Sequence, residues 1–185
     1  MDWMTEVELR LKRGNQLLFA KDSVLLIDLN EVIQAQDRRT LALWAFELAD
    51  EAVQALSERY PDETRLKTAV QLSRAWAAGN VKMNVAKQAI LQAHTVAKEL
   101  DSFEDQALCH AIGQACSVVH TSGHALGFPI YELTALVRYH GVPACHSIIE
   151  ARMKHYMERI EYWSARTIEY EWATFMMKDN STSQG

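Results

Sequence analysis

Apolar residues recur at helical spacing through the middle of the chain. Beyond Asp37, Leu41, Trp44, Leu48, Ala52 and Ala55 follow at steps of three and four, and Phe46, Ala49, Val53 and Leu56 form a second stripe. A helix that is apolar on two faces belongs at the centre of its fold. Asp37 can cap its start, and Tyr60-Pro61 ends it, because proline pushes the preceding residue out of the α region. A second helix carries Leu66, Ala69, Val70, Ser73, Trp76 and Ala77 and stops at Gly79, with Asn80 as the next cap. A third runs through Met83, Ala86, Ile90, Ala93, Ala97 and Leu100. Asp101 or Ser102 then caps a fourth, with Asp105 imitating a capping box. Connections this short set consecutive helices adjacent and antiparallel.

The fourth helix is expected to continue until Gly127-Phe128-Pro129 kinks or breaks it, and Gly141-Val142-Pro143 marks a further boundary with Pro143 in the next first turn. Beyond it Ile149, Met153, Tyr156, Ile160, Trp163, Thr167, Tyr170, Thr174 and Met177 make a heptad-like stripe. One long C-terminal helix over 142–178 would lay that stripe on its own bundle or on a second copy. Tyr, Trp and Thr are poor coiled-coil seam residues, which favours the bundle. Within the N-terminal extension, residues 1–36, SVLLIDL could be a strand. A single strand without a partner is unstable, so short helical pieces folded against the bundle are expected. The polar segment 179–185 reads as a flexible tail. The fold class is all-α: an antiparallel helical bundle over 37–141 with a long, aromatic-rich C-terminal helix.

Composition narrows the picture. At 185 residues, 49% apolar and 23% charged, the chain can bury roughly 70% of its unfolded surface without disulfides. A net charge of −5 argues against a sequence-independent grip on nucleic acid and mildly favours a basic partner. Cys109, Cys116 and Cys145 are odd in number and form no C-x-x-C pair, which fits a reducing compartment. No stretch approaches the roughly 18 apolar residues of a membrane span, so a cytoplasmic protein without a membrane partner is expected.

Candidate chemistry is confined to CHAIGQACSVVHTSGHALG, Cys109 to Gly127. On one helix, Leu108, Ile112, Ala115, Val119, Ser122 and Leu126 would face the core. Cys109, Gly113, Cys116, His120, Gly123 and Gly127 would form a narrow stripe that admits a neighbouring helix backbone. His120 and His124, four apart, would point the same way, and His94 on the preceding helix could supply a third metal ligand, leaving an open position for an activated water. Only Thr121, Ser122 and Gly123 lie between His120 and His124, and the nearest downstream acids are Glu132 and Glu150. A divalent-metal site wants a full ligand set, so the bare spacing favours packed, hydrogen-bonded histidines with no cofactor. His110 and Gln114 fall on a polar, solvated face. Cys145-His146 could be a thiol and its base, but adjacent helical residues do not face each other. Phosphate loops and nucleophile elbows are absent, and no catalytic residue is assigned.

Several short motifs carry a resemblance. Asp37-Arg38-Arg39 followed by Leu43-Trp44-Ala45, Glu58 to Asp62, Arg74 to Gly79, Ala93-His94, Gly113-Gln114-Ala115, His120 and His124-Ala125 are similar to the immunity-five-like family, all-α immunity proteins of bacterial polymorphic toxin systems. The resemblance covers Asp37 to Gly141. It implies a non-enzymatic cytoplasmic antidote that neutralises a cognate toxin by stoichiometric association. Two other readings stay open from the residues themselves: a metal-dependent enzyme using His94, His120 and His124, and a scaffold or regulatory homo-oligomer joined through the Ile149 to Met177 stripe.

Overall fold

A computed structural model describes residues 2–178, and the tail expected at 179–185 lies outside them. Among the described residues the chain is all-α: α1 (Trp3–Lys12), α2 (Ile27–Gln34), α3 (Arg38–Arg59), α4 (Arg65–Ala77), α5 (Met83–Glu99), α6 (Phe103–Ser117), α7 (Gly127–His140) and α8 (Val142–Ser164). As its two stripes require, α3 is buried on most of its circumference from Thr40 to Leu56. It packs against α6 and α8, while α6 also packs against α5 and α7. Trp44, fully buried, donates its indole N–H to the Tyr156 carbonyl at 3.1 Å and ties α3 to α8. Each buried large apolar side chain of this kind contributes roughly 1.5–3 kcal/mol.

The helix boundaries have identifiable chemistry. Asp37 accepts the Thr40 N–H at 2.8 Å and caps α3. Ser102 accepts the Asp105 N–H at 3.2 Å and caps α6. The Asp105 carboxylate does not complete a capping box, because it is held by Arg59 (2.5 Å) and the Tyr60 hydroxyl (2.6 Å). Gly79, at φ +82°, closes α4 with its N–H on Trp76 and the Asn80 N–H on Ala75. Asn80 is therefore part of that closure; the cap position of α5 is Lys82, without a side-chain bond. Gly141, at φ +79°, is the single residue between α7 and α8, a conformation that L side chains rarely adopt.

Two expectations change. The fourth helix does not run to Gly127: α6 ends at Ser117, and a turn leads to a 3-10 segment at Ser122–His124. Val118 and Val119 are β-branched, and Thr121 turns its hydroxyl to the Gly123 N–H at 3.4 Å, so local side-chain bonding replaces the helical ladder. The long C-terminal helix ends at Ser164, short of 178, and its stripe is not a four-heptad seam. Ile149, Tyr156 and Ile160 are buried in the chain's own core, while the chain beyond folds back, with the Ala173 N–H on the Ala77 carbonyl (2.8 Å) and Met176 buried. Thr167, Tyr170, Thr174 and Met177 therefore lie off α8, and the stripe presents no continuous surface to a second copy. SVLLIDL is helical, a 3-10 turn at Val24–Leu26 running into α2. Val7, Leu18, Phe19, Leu26, Leu29 and Ile33 join the same core as α3. The Leu18 N–H is received by Thr134 at 3.0 Å.

Candidate functional site

The fold gathers four histidines at α5, α6 and the turn after α6. His94 and His110 place their Nδ1 atoms 2.8 Å apart, so one donates and the other accepts, and a single proton lies between them. His124 sits 2.9 Å from the Gln114 side-chain oxygen through its own Nδ1, which must carry the hydrogen and leaves Nε2 as an acceptor. His110 and Gln114 are thus not a solvated face: each fixes the ring of a neighbouring histidine. Burial lowers the pKa of His94, and His110, His124 and Lys98 act in the same direction. Burial likewise lowers His110, assisted by Lys98, and His124, assisted by His120 and Lys21. In all three rings burial favours the neutral form.

The small residues serve this arrangement. A Cβ on Gly113 would lie 2.5 Å from His94 Cε1, and one on Gly127 would lie 2.5 Å from Gln114 Oε1. The stripe expected to admit a helix backbone therefore makes room for an imidazole and an amide. His94, His120 and His124 line one cavity of about 260 Å³, walled by Trp76, Ile90 and Leu91. His120 and His124 reach it from a turn and a 3-10 segment, not from one helical face. Among the described residues no group of three or more His, Cys, Asp or Glu side chains is arranged to hold a metal ion.

A second cavity, about 350 Å³, adjoins the first and shares Trp76, Met83 and His120 with it. Its cation is Arg38, in the first turn of α3. The guanidinium donates to the carbonyls of His120 (3.3 Å) and Phe175 and lies 5.6 Å from the Phe175 ring centre. Its Nε is buried without a partner, and burial lowers its pKa. Among the described residues no carboxylate pairs with it, whereas neighbouring Arg39 holds Asp37 at 3.1 Å. Trp76 stacks on Phe175 (5.6 Å) and on His120 (6.4 Å).

A larger groove, about 710 Å³, opens between α3, α6, α7 and α8 over a floor that includes Ala52, Ala55 and Leu136. Arg152 forks onto Glu132 at 2.7 and 2.9 Å and reaches Glu51 at 2.6 Å. Glu132 also accepts from the Tyr156 hydroxyl, and Glu51 from His155 at 2.9 Å. Burial works to lower the Arg152 pKa, yet Glu132, Tyr156 and Glu51 raise it. Burial, then Glu132, pushes the Tyr156 phenol well up. Sequence reasoning missed this network, whose bonded partners lie up to 104 positions apart with no local motif.

The cysteines offer no nucleophile at these sites. All three are free and buried, and burial pushes Cys109 and Cys116 up to about 12. Cys145 donates to the Val142 carbonyl at 3.2 Å, while His146 stacks on Trp3 and faces Glu150 at 3.4 Å. Among the described residues no helix is long and apolar enough to cross a membrane.

Comparison with known proteins places the chain in a family. Residues 31–159 match the family described as "Imm-5 like putative immunity protein". No curated protein and no solved structure matches the chain. The matched segment begins inside α2 and takes in most of α8, so it extends past both ends of the span, Asp37 to Gly141, on which the sequence motifs rest. It covers well over half of the 185 residues, and the chain belongs to the Imm-5 like immunity protein family.

Proposed function

We propose that the protein neutralises a toxin by stoichiometric association and performs no chemistry on it. The observation that carries this reading is the family match over residues 31–159. The reading is supported by a core continuous from α1 to the C-terminal segment, which presents a preorganised surface and lowers the ordering cost of binding. A net charge of −5 suits a basic toxin such as a nuclease, since complementary charge speeds encounter and disfavours wrong partners. The antidote acts in the cytoplasm, where such a toxin meets its target.

The test is co-expression with toxin domains encoded beside this chain's own gene. Growth should be restored, and size-exclusion chromatography with light scattering should find a one-to-one complex of nanomolar affinity or tighter. Rescue by far less than one equivalent, with the toxin covalently altered, would overturn the reading. So would failure to bind any of those toxins.

A further inference from the structure

We propose that the two adjoining cavities form one binding site for a small apolar carboxylate, its anion on Arg38 and its apolar body against Trp76 and Met83. The site is independent of the toxin-binding reading.

The charge distribution is the first support. Arg38 lines one cavity and Lys87 the rim of the other. The further charges acting on the imidazoles are Lys21 and Lys98. Asp37, next to Arg38 in the sequence, is already held by Arg39 and by the α3 cap. In a chain of net charge −5, none of Arg38, Lys87, Lys21 and Lys98 forms a salt bridge among the described residues. Backbone carbonyls satisfy two of the Arg38 donors but do not neutralise its charge. An incoming carboxylate would do so through charge-assisted hydrogen bonds.

The second support is the wall. Trp76, 7% exposed, lines both cavities by its edge of remaining surface, and Met83 and Leu91 are 49% and 55% exposed beside it. Exposed apolar side chains around a concave site are the usual lining of a small-molecule pocket, and the Arg38 cavity falls in the usual range of roughly 300–1,000 Å³. The third is preorganisation. Gly113, inside α6, is a weaker helix former than alanine, and what its missing Cβ admits is the His94 ring. His110 and Gln114 then fix the rings of His94 and His124. Close packing alone does not require such fixed imidazoles around an open cavity.

The experiment titrates the full chain with benzoate, benzyl alcohol and benzylamine while following the Trp76 indole and the imidazole signals by NMR. Benzoate should shift them saturably, and benzyl alcohol and benzylamine should bind at least tenfold more weakly. Arg38→Gln should cost at least tenfold in benzoate affinity. Because Arg38 also holds the Phe175 carbonyl, Lys87→Glu provides a second variant on an exposed side chain, expected to weaken benzoate severalfold without altering the fold. N-acetylphenylalanine and its amide separate the two sources of such a group. Tighter binding of that acid than of benzoate assigns the site to the carboxylate end of a chain, and the reverse assigns it to a free aromatic acid. No saturable shift at about 10 mM benzoate, equal affinity for benzoate and benzyl alcohol, or insensitivity to both substitutions overturns the proposal.

Discussion

The groove and the histidine cavities hold charge in opposite ways. In the groove, Glu51 and Glu132 share Arg152, and Asp105 holds Arg59, so the buried carboxylates are matched within the chain. At the cavities, Arg38 meets carbonyls and an aromatic ring and, among the described residues, no carboxylate, while burial and nearby lysines favour the neutral form of His94, His110 and His124. A network that satisfies itself holds helices together. A cation left unmatched beside an open cavity is free to take a ligand. Cavity size alone would rank the two regions the other way, since the groove is larger.

The largest effect expected from breaking this contrast lies in the groove. Arg152→Leu strands the Glu132 carboxylate, whose side chain is only 9% exposed, and should destabilise the protein by about 3–5 kcal/mol in urea unfolding. Adding Glu132→Leu to the same chain removes the stranded charge, and most of the loss should be recovered. A single substitution that costs less than about 1 kcal/mol would mean that water reaches the carboxylate and that the network is no clamp.

A smaller effect is expected at the histidines, and here the sign is informative. Gly113→Ala places a methyl 2.5 Å from the His94 ring and should destabilise by about 1–3 kcal/mol despite alanine's better helix propensity. In a His94→Ala background the clash is gone, and the same substitution should stabilise by up to about 1 kcal/mol. Equal effects in both backgrounds would show that Gly113 does not make room for His94. The two denaturation midpoints, each compared with its own parent, decide the matter.

How much of this was legible in the sequence follows from where each signal lies. The course of α3, α4 and α5 is written in local periodicity and in the residues Asp37, Tyr60-Pro61 and Gly79, because caps and helix faces depend on neighbours within a few positions. The end of α6 was partly legible, since Val118-Val119 and Thr121-Ser122-Gly123 are weak helix formers, but the apolar spacing through Val119 and Leu126 masked it. The end of α8 was not: the steps of three and four continue to Met177, and only the return of Ala173 onto Ala77 decides against the helix. The expected neighbourhood of His120 and His124 rested on a shared helical face, whereas a turn and a 3-10 segment bring them to the cavity; His94 does come from the preceding helix, as expected. Glu132 and Arg152 carry no local pattern that pairs them, because the pairing exists only once α7 and α8 are side by side.

The smallest effect separates the two regions by pH. The folded-state pKa values of His94, His110 and His124 lie below the ordinary imidazole value of about 6.5, so the unfolded chain binds more protons as the pH falls through that value. The stability associated with these rings is fully present above it and is lost progressively below it. Urea midpoints should therefore fall between pH 7.5 and pH 5, with a shallower fall in a His94→Gln, His110→Gln double variant. Matching slopes in the two proteins would place the acid sensitivity elsewhere. Saturating benzoate sharpens the test, because an anion in the adjoining Arg38 cavity favours the protonated form of the imidazoles and opposes the depression caused by burial and by the lysines. The bound protein should then lose less stability on acidification than the free protein, and the difference should vanish with Arg38→Gln.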